Sequence, residues 1–526
     1  MARPSLVIRE LKEAEWRVIP GTTESDFPFF SPDGQWLGFS TGRSIKKVSL
    51  PGGAPVSGGA SVTVRENAGT TRFGASWGPD DSIVFTPDAS SGLWLVPASG
   101  GEPRELTKPD RARGEKTHRW PHHLPGGKAL LFTVGTSRLT TYDEARIEVL
   151  VLRTGERRTL IEGGSAPAYV GSGHLLFRRG TAILAVPFDL DHLAVTGGPA
   201  AVVDGVRSNP LGEPFFTVAS TGILAYVPPV KPSFRLVLVD RAGQARPLTP
   251  LDAGYLIDPR VSPDGRAIAA IKLAANDQVW RFDIEREGFS QLTFEWDNLF
   301  PTWTPDGEFL IVTSGPGRKL HRVRADGSGT PEPLSSGTGV WQVPGSVTAD
   351  GKLLAYAERG SNTREDIWIL PLEPRGEPRP FLQTPASESW PAISPNGHLI
   401  AYQSDESGET EVYLRSFPDG GAKVQVSSGG GWAPVWPRSG KELFYRVPIE
   451  GAKGRIMAVD VGPEPPVRVS RARLLFEHRY DESGYDIFPD GQHFVMTETD
   501  DEALRVTYFN VVLNWLEDLK RLVSTP

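Results

Sequence analysis

Cysteine is absent from the 526-residue chain. With it go a disulfide framework, a cysteine zinc site and a thiol nucleophile. Long apolar runs are missing too: no segment approaches the roughly 20 apolar residues of a membrane-spanning helix, and residues 1–10 lack the apolar core of a signal peptide. The expectation is a soluble, cytoplasmic chain, or part of a larger membrane-anchored protein. Neither sign of charge dominates, because the net charge of −8 comes from interspersed acids and bases. Nucleic acid and membrane surfaces are therefore not expected partners. Helical periodicity is scarce and confined to residues 511–522, where Val512, Trp515, Leu516, Leu519 and Leu522 share one face.

What the chain has is glycine (57) and proline (47), gathered in a turn that recurs. It reads Ser31-Pro32-Asp33-Gly34, Ser262-Pro263-Asp264-Gly265, Thr304-Pro305-Asp306-Gly307, Ser394-Pro395-Asn396-Gly397 and Phe488-Pro489-Asp490-Gly491. Degraded copies stand between, among them Gly78-Pro79-Asp80-Asp81, Thr348-Ala349-Asp350-Gly351 and Pro437-Arg438-Ser439-Gly440. Proline fixes the first corner, Asp or Asn tolerates the second and Gly closes the turn at positive φ. Each copy lies between a short apolar segment with its own proline and an apolar strand. A third, alternating strand and a fourth ending in Thr or Ser follow, at Leu106-Thr107, Leu248-Thr249, Leu292-Thr293 and Val426-Ser427. Four antiparallel strands every 45 or so residues make a propeller blade.

The fold class is thus all-β, with tandem propellers of four-stranded blades and a short C-terminal helix. Eleven inner hairpins exceed one ordinary ring, so about five blades are expected in a first ring and six in a second, give or take one each. The boundary falls in the proline cluster at residues 227–233, giving domains 1–230 and 231–526. The N-terminal strands, residues 6–11 and 16–20, are expected to join the hairpin at residues 214–227 and close the first ring. The strands at 234–239 and 246–249 are expected to complete the last blade beside 485–488 and 505–509.

The repeat resembles the TolB-like propeller over nearly the whole chain. Stretches such as residues 111–121 (RARGEKTHRWP), 381–385 (FLQTP) and 511–515 (VVLNW) resemble the C-terminal propeller region of bacterial serine/threonine kinases. That resemblance implies a sensor or interaction module. It does not carry kinase activity, because the Gly-rich loop, the His-Arg-Asp loop and Asp-Phe-Gly are all missing.

One hydrolase motif appears, Gly74-Ala75-Ser76-Trp77-Gly78, but it coincides with the inner strand and turn of the repeat and lacks the following helix. Candidate sites are sought instead where inner strands meet the central channel. The polar residues three places before each inner proline, with their neighbours, supply them. In the first ring Asp26, Arg72, His118 and Glu213 form a candidate mixed site; across both rings Arg72, Arg119, Trp120, Trp341 and Trp390 are candidate ligand-binding residues. In the second ring Asp258, Asn298, Glu388, Glu482 and Asp486 are candidate ligands of Ca²⁺ or another divalent cation. Of the neighbouring His122 and His123, which alternate faces, at most one can share a site with His118. Two functions follow. The first is a binding module for a protein, peptide or small molecule. The second is a metal-dependent hydrolase of esters, lactones or phosphotriesters, with His118, Glu388 and Asp258 as catalytic candidates.

Overall fold

Among the described residues the computed structural model is almost entirely antiparallel β-sheet, with one α-helix at Trp515–Leu522. It describes residues 5–9, 15–42, 44–50, 61–69, 71–139, 141–208, 212–219, 222–229, 234–250, 254–335, 341–360, 364–449, 453–462, 467–478, 480, 484–499 and 508–523. Two compact units emerge: Lys231–Arg505, and Ala2–Val230 with Val506–Pro526.

The Lys231–Arg505 unit, the second ring, holds six four-stranded sheets. Their innermost strands are Leu256–Val261, Leu299–Trp303, Trp341–Val347, Glu388–Ile393, Trp432–Val435 and Tyr485–Ile487. Period-two alternation sends successive side chains of each second strand to opposite faces. In Ala267–Lys272, Ile268 and Ala270 pack on the preceding blade while Ala269 packs on the following one. Leu310 and Val312 divide from Ile311 in the same way, and so do Leu354 and Tyr356 from Ala355. Six apolar clusters result, one at each junction, so the ring closes without a gap. Closure is covalently distant: Phe234–Asp240 pairs with His493–Thr499 from Phe234 opposite Thr499 to Asp240 opposite His493. Tyr485–Ile487 completes that blade from inside, as the sequence leads one to expect. Of the outer segment expected at 505–509, residues 505–507 lie outside the described residues.

Among the described residues the other unit, the first ring, has three four-stranded sheets, one five-stranded, one three-stranded and one two-stranded sheet. Here two expectations are corrected. The three-stranded sheet pairs Phe216–Val218, Leu224–Tyr226 and Asn510–Val512, so the C-terminal strand, not the N-terminal one, lies beside Leu224. The reason is the helix behind it. Trp515 and Leu519 bury themselves with Leu176, Ile183 and Leu224, and the Trp515 N–H donates to the Gly222 carbonyl at 3.0 Å. The helix therefore belongs to the first ring, not the second, and starts only at Trp515 because Asn514 is left-handed at φ 54°. Strands Ser5–Ile8 and Arg17–Thr23 pair with each other and lay Leu6, Ile8 and Ile19 on Leu37 and Phe39.

The recurring turn has a hub that proline, Asp and Gly do not reveal, its first residue. Ser262 Oγ donates to Asp264 Oδ1 at 2.6 Å and accepts the Ala267 N–H at 2.9 Å. Thr348 and Ser394 do the same in their turns. Glycine and proline then meet across blades. A β-carbon on Gly265 would stand 3.3 Å from the Pro489 ring, on Gly440 3.3 Å from Pro395 and on Gly491 3.6 Å from Pro437. Gly307 and Gly351 face Pro263 and Pro305 at 3.8 Å. At Gly397 nothing stands within 4 Å, and its neighbour turn carries Ala349 where the others carry proline. Ala349→Pro should therefore both stiffen the unfolded chain and fill that gap, adding about 0.4–1 kcal/mol of stability. Urea unfolding of the two proteins checks this; an unchanged or lower midpoint would contradict it.

Candidate functional site

In seven inner strands the residue before proline is left-handed, with φ between 48° and 53°: Phe27, Trp120, Ala166, Asp258, Phe300, Trp390 and Ala433. None of them is glycine, and such a conformation costs roughly 1–2 kcal/mol at each position. Each coincides with a shift of register against the second strand, for example between Ile257 and Arg260 and between Ser389 and Ala392. The bulge splits the strand into two parts with different neighbours. Before it, the strand belongs to the blade junction; after it, the strand faces the channel.

Main-chain bonds define the first part. The His118 N–H donates to the Ser91 carbonyl, Asn298 to Asp277, Gln342 to Arg318 and Gly431 to Thr410, at 2.7–3.0 Å, each reaching back into the preceding blade. Hydroxyls answer from that blade: Thr86 Oγ1 donates to the His118 carbonyl at 2.8 Å, Thr313 Oγ1 to that of Gln342 at 2.6 Å and Thr497 Oγ1 to that of Leu256 at 2.9 Å. Gln342, not Trp341, holds this place in its blade. Val343 is β-branched and stays extended, so the bulge moves past Pro344, between Pro344 and Ser346, and the count from proline slips by one.

The polar side chains at these positions are therefore fastenings between blades. His118 is fully buried, with Nδ1 2.7 Å from Thr107 Oγ1 and Nε2 3.1 Å from Glu115 Oε2. Burial holds its pKa below the usual histidine value, against the pull of Glu115. Glu115 is itself locked by Arg157 at 3.0 Å and by Arg146. Asn298 Nδ2 donates to Gln278 Oε1 at 3.2 Å and to the Glu295 carbonyl at 2.8 Å. Glu388, 1% exposed, takes the Thr384 hydroxyl on one oxygen and no hydrogen bond on the other. Arg119 is buried between Phe73 and Tyr142, 4.4 and 5.0 Å from the ring centroids, with its guanidinium on the Ala89 carbonyl at 3.1 Å. Arg72 is exposed beside Phe27, and Trp341 lies under Arg318 at 4.3 Å. Ser76 of the hydrolase-like motif is likewise a fastening: its Oγ accepts the His123 N–H at 3.1 Å and lies 2.9 Å from His123 Nδ1.

Past the bulge, residues from all six innermost strands of the second ring enclose a cavity of about 240 Å³. Trp303, Trp390, Trp436, Tyr485, Pro344 and Pro391 line it together with Thr302, Ser346 and main chain, and Arg260 and Asp486 are its charged groups. Arg260 stands 5.5 Å from the centre of the Trp390 ring, donates to the Tyr485 carbonyl at 3.0 Å and lies 2.7 Å from Asp258 Oδ1. Asp258 is 1% exposed behind the wall, against Gly484, where a β-carbon would stand 2.8 Å from its Oδ1. Burial pushes its carboxyl up to about 6, Arg260 opposing and Asp486 reinforcing. Asp486 accepts the N–H groups of Val261 and Ile487, each at 2.8 Å, yet burial still raises its pKa. Of the sequence candidates, then, Asp258, Asp486 and Trp390 come together.

Residues 207–437 match the TolB beta propeller domain. This stretch is thus similar to a TolB β-propeller. A curated relative, an uncharacterized protein of Agrobacterium fabrum, is 25% identical over 166 residues, which is 29% of this chain and 55% of that protein. The chain thus spans about half the length of the curated relative it matches. Among solved structures, the putative TolB from Agrobacterium tumefaciens is 16% identical with a TM-score of 0.44, covering 51% of this chain and 98% of that one. TolB from Acinetobacter baumannii is 17% identical with a TM-score of 0.32, covering 68% and 79%. An oligogalacturonate lyase in complex with manganese is 17% identical with a TM-score of 0.36, covering 58% and 82%.

The expected cation set does not assemble. Asn298 and Glu388 sit in separate blade junctions, Glu482 lies outside the described residues, and among the described residues no three His, Asp or Glu side chains form a group able to hold a metal ion. In the first ring a cavity of about 210 Å³ takes in Trp120, His122 and Glu213 but not Asp26, Arg72 or His118. His122, missed as a cavity residue, is pushed down to about 4 by burial and by His123, and so faces that cavity as a neutral imidazole. A basin of about 570 Å³ on the turn face of the second ring is larger, but three of its four acids are already used: Asp264 and Asp306 cap their turns and Asp326 pairs with Arg324 at 3.1 Å.

Burial, with Asp366, Glu406 and Asp405 nearby, pushes Glu388 up to about 7 against the hydrogen bond from Thr384. An unfolded Glu titrates near 4.5. Between these values the native state binds the extra proton, so this junction is most stable below the lower value and weakens as pH rises to the upper one. Glu388→Gln should flatten that decline. Unfolding free energies of both proteins at pH 5 and pH 8 check it, and equal pH slopes would contradict it.

Proposed function

We propose that the protein is a non-catalytic binding module whose recognition site is the channel of the second ring. The carrying observation is the cavity at which all six innermost strands converge, lined by indole, proline and hydroxyl residues with two charged side chains. Concave sites that combine aromatic side chains with placed polar groups hold ligands or side chains of a partner. The residue types suited to catalysis, His118 and Glu388, are spent on holding blades together. A protein, peptide or small molecule is the partner class, in keeping with the TolB-like propeller at residues 207–437 and with the resemblance to kinase-borne sensor propellers.

A photo-crosslinking residue at Thr302, on the cavity wall, should capture the ligand in cells that make the protein. The same residue at Lys423, on an outermost strand, should not. Purified protein should show no turnover of p-nitrophenyl acetate or of a phosphotriester above a protein blank. Capture at Lys423 alone, or turnover lost in Asp258→Ala, would contradict the reading.

A further inference from the structure

One turn of the second ring departs from its sisters in two ways at once. Ser394-Pro395-Asn396-Gly397 carries asparagine where the turns at 31–34, 262–265, 304–307, 348–351 and 488–491 carry aspartate, and Asn396-Gly397 is the one Asn-Gly pair in the chain. It is also the only one of the second ring's six turns whose glycine has no neighbour within 4 Å of an added β-carbon. Its hydrogen bonds are nevertheless those of an aspartate turn. Ser394 Oγ and the His398 N–H donate to Asn396 Oδ1 at 2.7 and 3.1 Å, as Ser262 Oγ and the Arg266 N–H donate to Asp264 Oδ1 at 2.6 and 3.0 Å. Asn396 is exposed, and among the described residues its amide nitrogen has no hydrogen-bond partner. The residue that follows has no side chain to shield its main-chain nitrogen, so that nitrogen can reach the side-chain carbonyl carbon of Asn396 whenever the turn opens.

We propose that Asn396 is a self-modification site, deamidating through a succinimide with Gly397 at a rate set by the opening of its turn. The Gly397 nitrogen bonds to Asn396 Cγ, the Cγ–Nδ2 bond breaks, and ammonia leaves with the proton that the Gly397 nitrogen gives up. Water then adds its hydroxyl to one of the two ring carbonyls and its hydrogen to the ring nitrogen, which yields aspartate or isoaspartate. In the closed turn the Gly397 N–H is held by the Ser394 carbonyl at 2.8 Å and Asn396 Oδ1 by its two donors, so nucleophile and target are both engaged. Opening is eased because the glycine–proline contact that braces the other five turns is missing beside Ala349. The two products act in opposite directions. Aspartate meets the same donors with a full charge and reproduces the sister turns, where the Ser262 and Thr348 hydroxyls and the N–H groups of Arg266 and Lys352 hold Asp264 and Asp350 below the usual carboxylate range. Isoaspartate inserts a methylene into the main chain between residues 396 and 397, which carries Gly397 away from the Ser394 carbonyl and loosens the turn.

Mass-spectrometric peptide mapping of the full chain, aged at pH 8 in native buffer and in urea, tests this. The mass gain of amide-to-acid conversion should appear first at the peptide that holds residue 396, and about tenfold more slowly in native buffer than in urea, because closed turns react only while open. In native buffer Ser394→Ala, which removes a donor from Asn396 Oδ1, should convert several-fold faster than the parent chain, and Ala349→Pro, which restores the brace, several-fold more slowly. In urea the three proteins should convert alike. Isoaspartyl methyltransferase labelling divides the two products, and Asn396→Asp should melt no lower than the parent chain. Should S394A fail to fold, the comparison of A349P with the parent chain decides. Equal rates in native buffer and urea, equal rates for the parent chain and A349P in native buffer, or earlier conversion at another asparagine overturns the proposal. A parent chain still wholly amide at Asn396 when S394A is wholly converted also overturns it.

Discussion

The stitch that ties each innermost strand to the preceding blade is the interaction on which the rest depends. A main-chain N–H reaches back to a carbonyl at the start of the neighbour's third strand, as His118 does to Ser91 and Asn298 to Asp277. It holds two sheets edge to face where no ladder can run between them. Having made that bond, the strand must leave the junction and turn towards the axis within three residues. The left-handed residue before proline does this, and its recurrence at seven positions, at a local cost each time, shows how firmly the surroundings impose it.

Two consequences follow from that geometry. Polar side chains before the bulge are captured by the Thr or Ser that ends the preceding fourth strand, as Thr107 captures His118 and Thr384 captures Glu388. Side chains after it are free to line the axis, which is why the cavity of the second ring is built from Arg260, Thr302, Ser346 and their equivalents. At the other end of the same strands the turns abut, glycine on proline, and carry the contact round the second ring except beside Ala349. Apolar clusters between the sheets supply the bulk of the stabilisation, while stitches and turns fix register.

Much of the fold was legible because turn chemistry and period-two alternation are local. Ser262-Pro263-Asp264-Gly265 and its copies marked the blades, and Phe234-Arg235-Leu236 had the pattern of a strand in search of a sheet. The partner of Leu224–Tyr226 was not legible, since either terminus offered a short apolar strand and only the packing of Trp515 and Leu519 decides between them. The site was half legible. A count of three residues back from proline found real positions but the wrong role, because a left-handed residue before proline runs against the usual preference for extended backbone there and leaves no mark in composition. Asp258, Trp390 and Asp486 were found because they lie at the bulge itself or in its counterpart strand. Arg260, Trp303 and Trp436 were missed, though each stands at a fixed distance after the bulge.

The central claim is that the bulge divides junction from channel, and the absence of cysteine makes it directly testable. Single cysteines at Ser346, after the bulge, and at Asn298, before it, can be timed against a small methanethiosulfonate reagent under native conditions. The account predicts that Ser346→Cys is labelled readily and Asn298→Cys only at the rate of unfolding. Equal labelling of the two, or faster labelling at Asn298, would contradict it.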